Sequence, residues 1–197
     1  VRAYAPNVAP YNTVRSRCQT WKSHIEHVLK ETAADEICLI GHSMGGLDAR
    51  FLISQMGLHD RVAALVTISA PHRGSVLANL VLNQPDAVRS WMADMADWMG
   101  THILEDGSAN SLQTVRELTP SFMEHSFNPN VPDHPSVTYW SYAGQAGHET
   151  SVPLAPLLRY FNTYLYEREG INDGFVSVES AKWGTFKGTV NADHIRQ

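Results

Sequence analysis

The stretch ICLIGHSMGGLDARFL, Ile37 to Leu52, constrains the chain more than any other part of it. A short apolar segment, Ile37-Cys38-Leu39-Ile40, passes through three glycines and a lone serine into Leu47, Phe51 and Leu52 at helical spacing. A strand that becomes a helix within two residues needs small residues at the turn, because side chains there would collide with the backbone crossing above. Gly41, Gly45 and Gly46 meet that need. Ser43, at the apex, is then expected in a strained conformation, with its hydroxyl beyond the edge of the sheet where a base and a second molecule both reach it. The string G-x-S-x-G alone recurs by chance in surface turns. The strand before it and the helix after it make this one read as a nucleophile elbow.

The rest of the chain agrees with a strand-to-helix crossing. An opening strand from Val1 to Tyr4 and a turn at Ala9-Pro10-Tyr11-Asn12 are expected, followed by a helix with Val14, Cys18, Trp21, Ile25, Val28 and Leu29 on one stripe. A strand from Glu36 to Ile40, the elbow, a helix closing at Gly57 and a strand from Val62 to Ser69 come next. Strand alternating with helix predicts a parallel sheet with crossovers. From Gly74 to about Val131 the alternation gives way to helical patterns, which read as an inserted cap within a single domain over residues 1–197. The sheet is expected to resume at Val137–Ala143, with a helix from about Ala155 to Glu169 and a last strand pair at Phe175–Val178 and Phe186–Val190.

Composition excludes several classes of function. The net charge of −5, with no basic run and no basic-aromatic interleaving, argues against a nucleic-acid partner. No phosphate-binding signature, sequon or apolar run of transmembrane length is present. Cys18 and Cys38, the two cysteines, are both expected on buried faces as free thiols, compatible with a reducing compartment. A start at Val1, with neither methionine nor signal peptide, predicts a mature or trimmed piece from which targeting cannot be read, so the compartment of a soluble protein, cytoplasmic or secreted, stays open.

A serine hydroxyl is a poor nucleophile at neutral pH, so Ser43 requires a base, and the base requires a carboxylate to fix its tautomer. Behind an elbow of this kind the chain order is serine, acid, histidine, each on a loop past the carboxyl end of a strand. His24, His27 and His42 precede the serine, and His59, His72, His102 and His125 precede every late acid. Asp173, in the turn Asn172-Asp173-Gly174, and His194, past the last expected strand, are the candidates that satisfy the order. The rival readings are turn chemistry for Asn-Asp-Gly and a terminal surface histidine for His194, with His148 as the alternative base although it breaks the order. Asp193, adjacent to His194, is expected to face away from it.

The words IGHSMGGLDARF, VTISAPHRGS, NDGFVSVESAKWG and NADHI, in this order and spacing, resemble the α/β-hydrolase lipases of the bacterial triacylglycerol lipase type. The resemblance spans nearly the whole chain and is weakest in the helical insertion. It implies an α/β-hydrolase fold, a mostly parallel sheet with flanking helices and a helical cap or lid. It also implies a carboxylic ester hydrolase, with Ser43 as nucleophile, Asp173 as acid, His194 as base and the Met44 N–H as one oxyanion donor. The His-Gly loop that supplies such lipases with a second donor does not precede Ser43 here. Their calcium ligand two residues past the catalytic histidine corresponds to Arg196, so no metal and no cofactor are expected.

Within Gln84 to Leu104 an apolar stripe of Val88, Trp91, Met92, Met95, Trp98, Met99 and Ile103 faces away from Arg89, Asp94 and Asp97. Trp91, Met95 and Trp98, together with His42 beside the serine, are the substrate-binding candidates. Methionine and tryptophan repack readily against irregular acyl chains, which suits an ester or lipid substrate at a lipid–water interface. A fixed cap and a mobile lid have the same periodicity. An acyltransferase, a thioesterase and a non-catalytic binding protein on the same fold are the alternatives.

Overall fold

The computed structural model describes residues 2–5, 12–83 and 109–197. Helix α1, Val14–Thr32, starts where Thr13 accepts a hydrogen bond from the Ser16 N–H (3.3 Å) and stops at Ala33, whose φ of 53° is left-handed. Strand β1 is Ile37–His42, helix α2 is Met44–Gln55 and strand β2 is Val62–Ile68. Helix α3, Val76–Leu82, and helix α4, Ala109–Arg116, follow, and residues 120–130 continue in short helical turns with one π-helical turn at Met123–Phe127. Strand β3, Thr138–Gly144, leads through a 3-10 turn at Pro156–Leu158 to helix α5, Arg159–Glu169. A short helix α6, Val178–Ala181, and strand β4, Thr185–Val190, complete the order.

The four strands form one parallel sheet in the order β1-β2-β3-β4. Because every strand runs the same way, the carboxyl ends of β1, β2 and β3 and the loops after them gather along one edge. This is where ligands lie in open α/β sheets. Leu39 and Leu65, paired across β1 and β2, belong to the main core with Val14, Cys18, Ile25 and Leu29 of α1 and Leu47, Leu52 and Ile53 of α2. A buried ion pair joins the two helices, with the Arg17 guanidinium 2.7 Å from Asp48. A second core, built from Leu77, Leu158, Leu165, Phe175 and Val176, lies under the last loops.

Three sequence expectations need correction. Residues 2–5 form no strand among the described residues, and no described strand pairs with the outer edge of β1. Phe175–Val178 is not a strand either. A single bridge between Asn172 and Ser177 closes a tight loop, because the Asp173 side chain captures the backbone N–H groups that a strand would have offered to a neighbour. Cys38 is exposed, although Cys18 is buried as expected. It shares a face of β1 with Ile40, which is 65% exposed, while Leu39 takes the face that α1 and α2 cover.

Candidate active site

Ser43 stands between β1 and α2 with φ 52° and ψ −130°, a region that non-glycine residues enter only when the surroundings hold them there. Its N–H donates to the Ile68 carbonyl at the end of β2 (3.0 Å), and its carbonyl accepts from Gly46 N–H (3.0 Å). Two of the three neighbouring glycines are sterically required. A Cβ on Gly41 would come 2.7 Å from the Gly45 backbone, and one on Gly46 would come 2.5 Å from Ala70 Cβ. Gly45 differs from the sequence expectation, since a Cβ there meets no described atom within 4 Å.

The elbow brings Ser43 Oγ to 3.0 Å from His194 Nε2, across 151 residues of sequence. On the other side of the ring, Nδ1 lies 2.7 Å from Asp173 Oδ2. A carboxylate accepts only, so Nδ1 carries the proton and Nε2 is left as the acceptor facing the serine hydroxyl. The Asp173 carboxyl is fully buried. Burial pushes it up, but the His194 charge, the hydrogen bond to it and the N–H groups of Val176 and Phe175 outweigh burial and hold it below the usual carboxylate range. Those two N–H groups donate to Oδ1 at 2.8 and 3.0 Å.

The turn that carries Asp173 is fixed from beneath by side chains with no obvious signal in the sequence. Asn162 of α5 donates to Asn172 Oδ1 (2.7 Å), the same oxygen that accepts the Gly174 N–H (2.9 Å). Ser75 Oγ–H donates to the Phe175 carbonyl (2.9 Å). The loop of His194 is tied directly to that of Asp173, because the His194 N–H donates to the Asp173 carbonyl (2.9 Å). Asp193 is buried and faces away from the imidazole, as its position beside His194 suggested. Its Oδ1 accepts from the N–H groups of Ile195 and Arg196, and its Oδ2 from that of Ala155 (2.8 Å).

His42 tilts over the His194 ring at 4.6 Å between centroids, and Phe175 meets the same ring edge-on at 5.2 Å. Burial, then the charge of His194, lowers the His42 imidazole to about 4, so it is neutral at pH 7. The N–H of Met44 opens α2 next to Ser43, where the helix dipole favours negative charge. An apolar cleft runs from Ser43, Met44 and His194 between Leu77, Leu118 and Phe175. His72, from the Ala70-Pro71-His72-Arg73 segment, stays outside the cleft, fully buried, with Nε2 3.0 Å from Thr67 Oγ1. His148 stacks on Tyr166, and Asp133 accepts from Trp183 Nε1 (2.9 Å). Trp91, Met95 and Trp98 lie outside the described residues. Among the described residues no group of three or more His, Cys, Asp or Glu is arranged to hold a metal ion.

Comparison with known proteins sets this geometry in a family. Triacylglycerol lipase 2 of Saccharomyces cerevisiae is 29% identical over 202 aligned residues, covering 95% of this chain and 55% of that protein. A triacylglycerol lipase of Pseudarthrobacter phenanthrenivorans is 32% identical over 141 residues, covering 66% of this chain and 43% of the relative. The chain thus spans about half the length of these curated relatives. Among solved structures, the mature Bacillus licheniformis lipase BlEst2 superposes with a TM-score of 0.72 at 24% identity, over 95% of this chain and 70% of that one. A metagenomic carboxyl esterase superposes at 0.74 with 21% identity, over 95% and 53%. These likenesses establish an α/β-hydrolase fold. The PGAP1-like alpha/beta domain matches residues 14–119, more than half of the sequence, and the chain belongs to that family.

Proposed function

We propose that the protein is a serine carboxylic ester hydrolase that acts on acylglycerols or related lipid esters through an acyl-enzyme intermediate. The observation that carries this reading is the unbroken relay from Ser43 Oγ through His194 to Asp173, at 3.0 and 2.7 Å. Ser43 Oγ attacks the ester carbonyl carbon as its proton passes to His194 Nε2. The carbonyl oxygen becomes an oxyanion, for which the Met44 N–H at the start of α2 is the candidate donor. The C–O bond to the alcohol breaks as His194 returns the proton to the leaving oxygen. Water then enters, gives its proton to His194 and releases the acid, restoring Ser43. Asp173 keeps Nδ1 protonated throughout and stabilises the imidazolium.

The apolar cleft between Leu77, Leu118 and Phe175 suits the acyl chain, and His42, neutral and packed on the base, keeps a second charge away from it. The helical block from about 74 to 131 is read as a cap within one domain over residues 1–197, with Trp91, Met95 and Trp98 meeting lipid at a lipid–water interface. The names of the curated relatives, triacylglycerol lipases, point to the same substrate class. A fluorophosphonate probe should label the wild type and not Ser43→Ala, which should lose nearly all hydrolysis of p-nitrophenyl esters and emulsified triacylglycerol while keeping its Tm. Adding an alcohol acceptor separates transfer from hydrolysis. Ser43→Ala retaining half of the activity would overturn the reading.

A further inference from the structure

Gln197 has no part in the relay described above, yet it touches its acid. Its Nε2 lies 2.8 Å from Asp173 Oδ2, the same oxygen that takes the His194 Nδ1–H at 2.7 Å. Because a carboxylate only accepts, the amide must present its N–H, and its own Oε1 is then buried without a hydrogen-bond partner among the described residues. An unpaired buried oxygen carries a free-energy cost, so this placement does not serve the amide itself. The backbone makes room for it. A Cβ on Gly144, the last residue of β3, would fall 1.9 Å from Gln197 Nε2 and 2.8 Å from Asp173 Cβ.

Few other charges bear on this contact. His42 faces the imidazole from the end of β1, and Leu77 of α3 and Phe175 line the cleft side. Asp193 turns its carboxylate to the Ala155, Ile195 and Arg196 N–H groups, with the Arg196 guanidinium 3.6 Å away. From α5 the uncharged Asn162 reaches Asn172. Gln197 is therefore the one side chain other than His194 that the described residues bring into hydrogen bonding with the Asp173 carboxylate.

We propose that Gln197 is a positioning residue for the acid, fixing the plane of the Asp173 carboxylate and sharing the negative charge that Oδ2 offers to His194. This rests on Asp173 acting on His194 as proposed above. Without the amide, Oδ2 would keep His194 as its one side-chain partner among the described residues, and the plane of the carboxylate would be free to turn away from the Nδ1–H.

The test uses the full-length protein and the near-isosteric Gln197→Met. The expected result is a kcat about tenfold lower with KM unchanged. The low-field proton NMR resonance of the His194 Nδ1–H, recorded without substrate, should also move. In an Asp173→Asn background, Gln197→Met should cost nothing further. Gln197→Ala, which leaves space rather than filling it, should move the resonance in the same direction. An unmoved resonance, or an equal loss of rate in the Asp173→Asn background, would overturn the proposal. If the wild type hydrolyses no ester, the functional reading fails on its own, and the resonance alone decides the role of Gln197.

Discussion

Replacing Asp173 by asparagine tests the acid, and the hydrogen bonds around it dictate which way the new amide must point. Oδ1 accepts the N–H groups of Phe175 and Val176, so the asparagine oxygen is held on that side. Its NH₂ then takes the place of Oδ2 and confronts the His194 Nδ1–H and the Gln197 amide, a meeting of donors. Gln197 relieves its share by rotating its amide, since its Oε1 has no partner to lose. His194 has only one escape, to move its proton to Nε2, where it points at Ser43 Oγ and accepts nothing. The rate should fall on the order of 10⁴-fold, as for the same change in the best-studied serine triad. The Tm should move little, because the loop keeps both Oδ1 bonds. Stability should also lose part of its acid dependence. The Asp173 pKa is depressed in the folded state, so the carboxylate contributes stability above its unfolded value of about 4, and this is lost as pH falls through the folded value. Steady-state hydrolysis, with urea melts at several pH values, measures both effects. Asp133→Asn is the control, because among the described residues that half-exposed carboxylate bonds the Trp183 indole and lies 3.9 Å from the buried Arg50, away from His194. If the two variants are equally inactive while folded, the assignment of the acid is wrong.

Gly46→Ala should destabilise by about 1–3 kcal/mol and impair turnover, since its Cβ meets Ala70 at 2.5 Å, while Gly45→Ala should be neutral or stabilise α2 by up to about 1 kcal/mol; thermal melts that reverse this order would refute the steric reading of the elbow. A calcium chelator should leave activity and Tm unchanged, because the buried Asp193 carboxylate is already occupied by three backbone N–H groups and neighboured by Arg196, and a drop in Tm restored by calcium would contradict this. His42 and His72 are buried with imidazoles below their ordinary range, so their neutral forms support the fold at high pH. Urea midpoints should therefore fall as pH drops from about 6.5 towards about 4, and a flat profile there would show that neither is desolvated.

What the sequence made legible followed from local rules. The elbow could be read because strand, glycines and helix are adjacent, and α1 because one stripe recurs at helical spacing. The order serine, acid, histidine singled out Asp173 and His194, whose side chains the fold brings within 2.7 Å of each other. Phe175–Val178 misled because its apolar, β-branched run serves the second core from a loop, where the partner of its backbone is the carboxylate one turn away. Cys38 misled because apolar residues on both faces of a parallel strand imply two covered faces, whereas Ile40 beside it is largely exposed among the described residues. Asn162 and Gln197 left no trace, since a polar residue that braces a loop 10 or 24 positions away has no pattern of its own.

The backbone bond from the His194 N–H to the Asp173 carbonyl has a consequence for the entropy of turnover. Together with the side-chain contact at 2.7 Å it makes Asp173 and His194 a single rigid body, whose mutual orientation is settled when the chain folds. Ser43 is anchored separately, through its N–H to the end of β2. Ser43 meets that body through the 3.0 Å approach of Oγ to Nε2, a hydrogen bond that the proposed reaction must break and remake in every cycle. On the proposed mechanism, bringing the nucleophile into line then asks for little more than rotation of a hydroxymethyl group. The freedom that would otherwise be lost in aligning three groups has already been surrendered on folding.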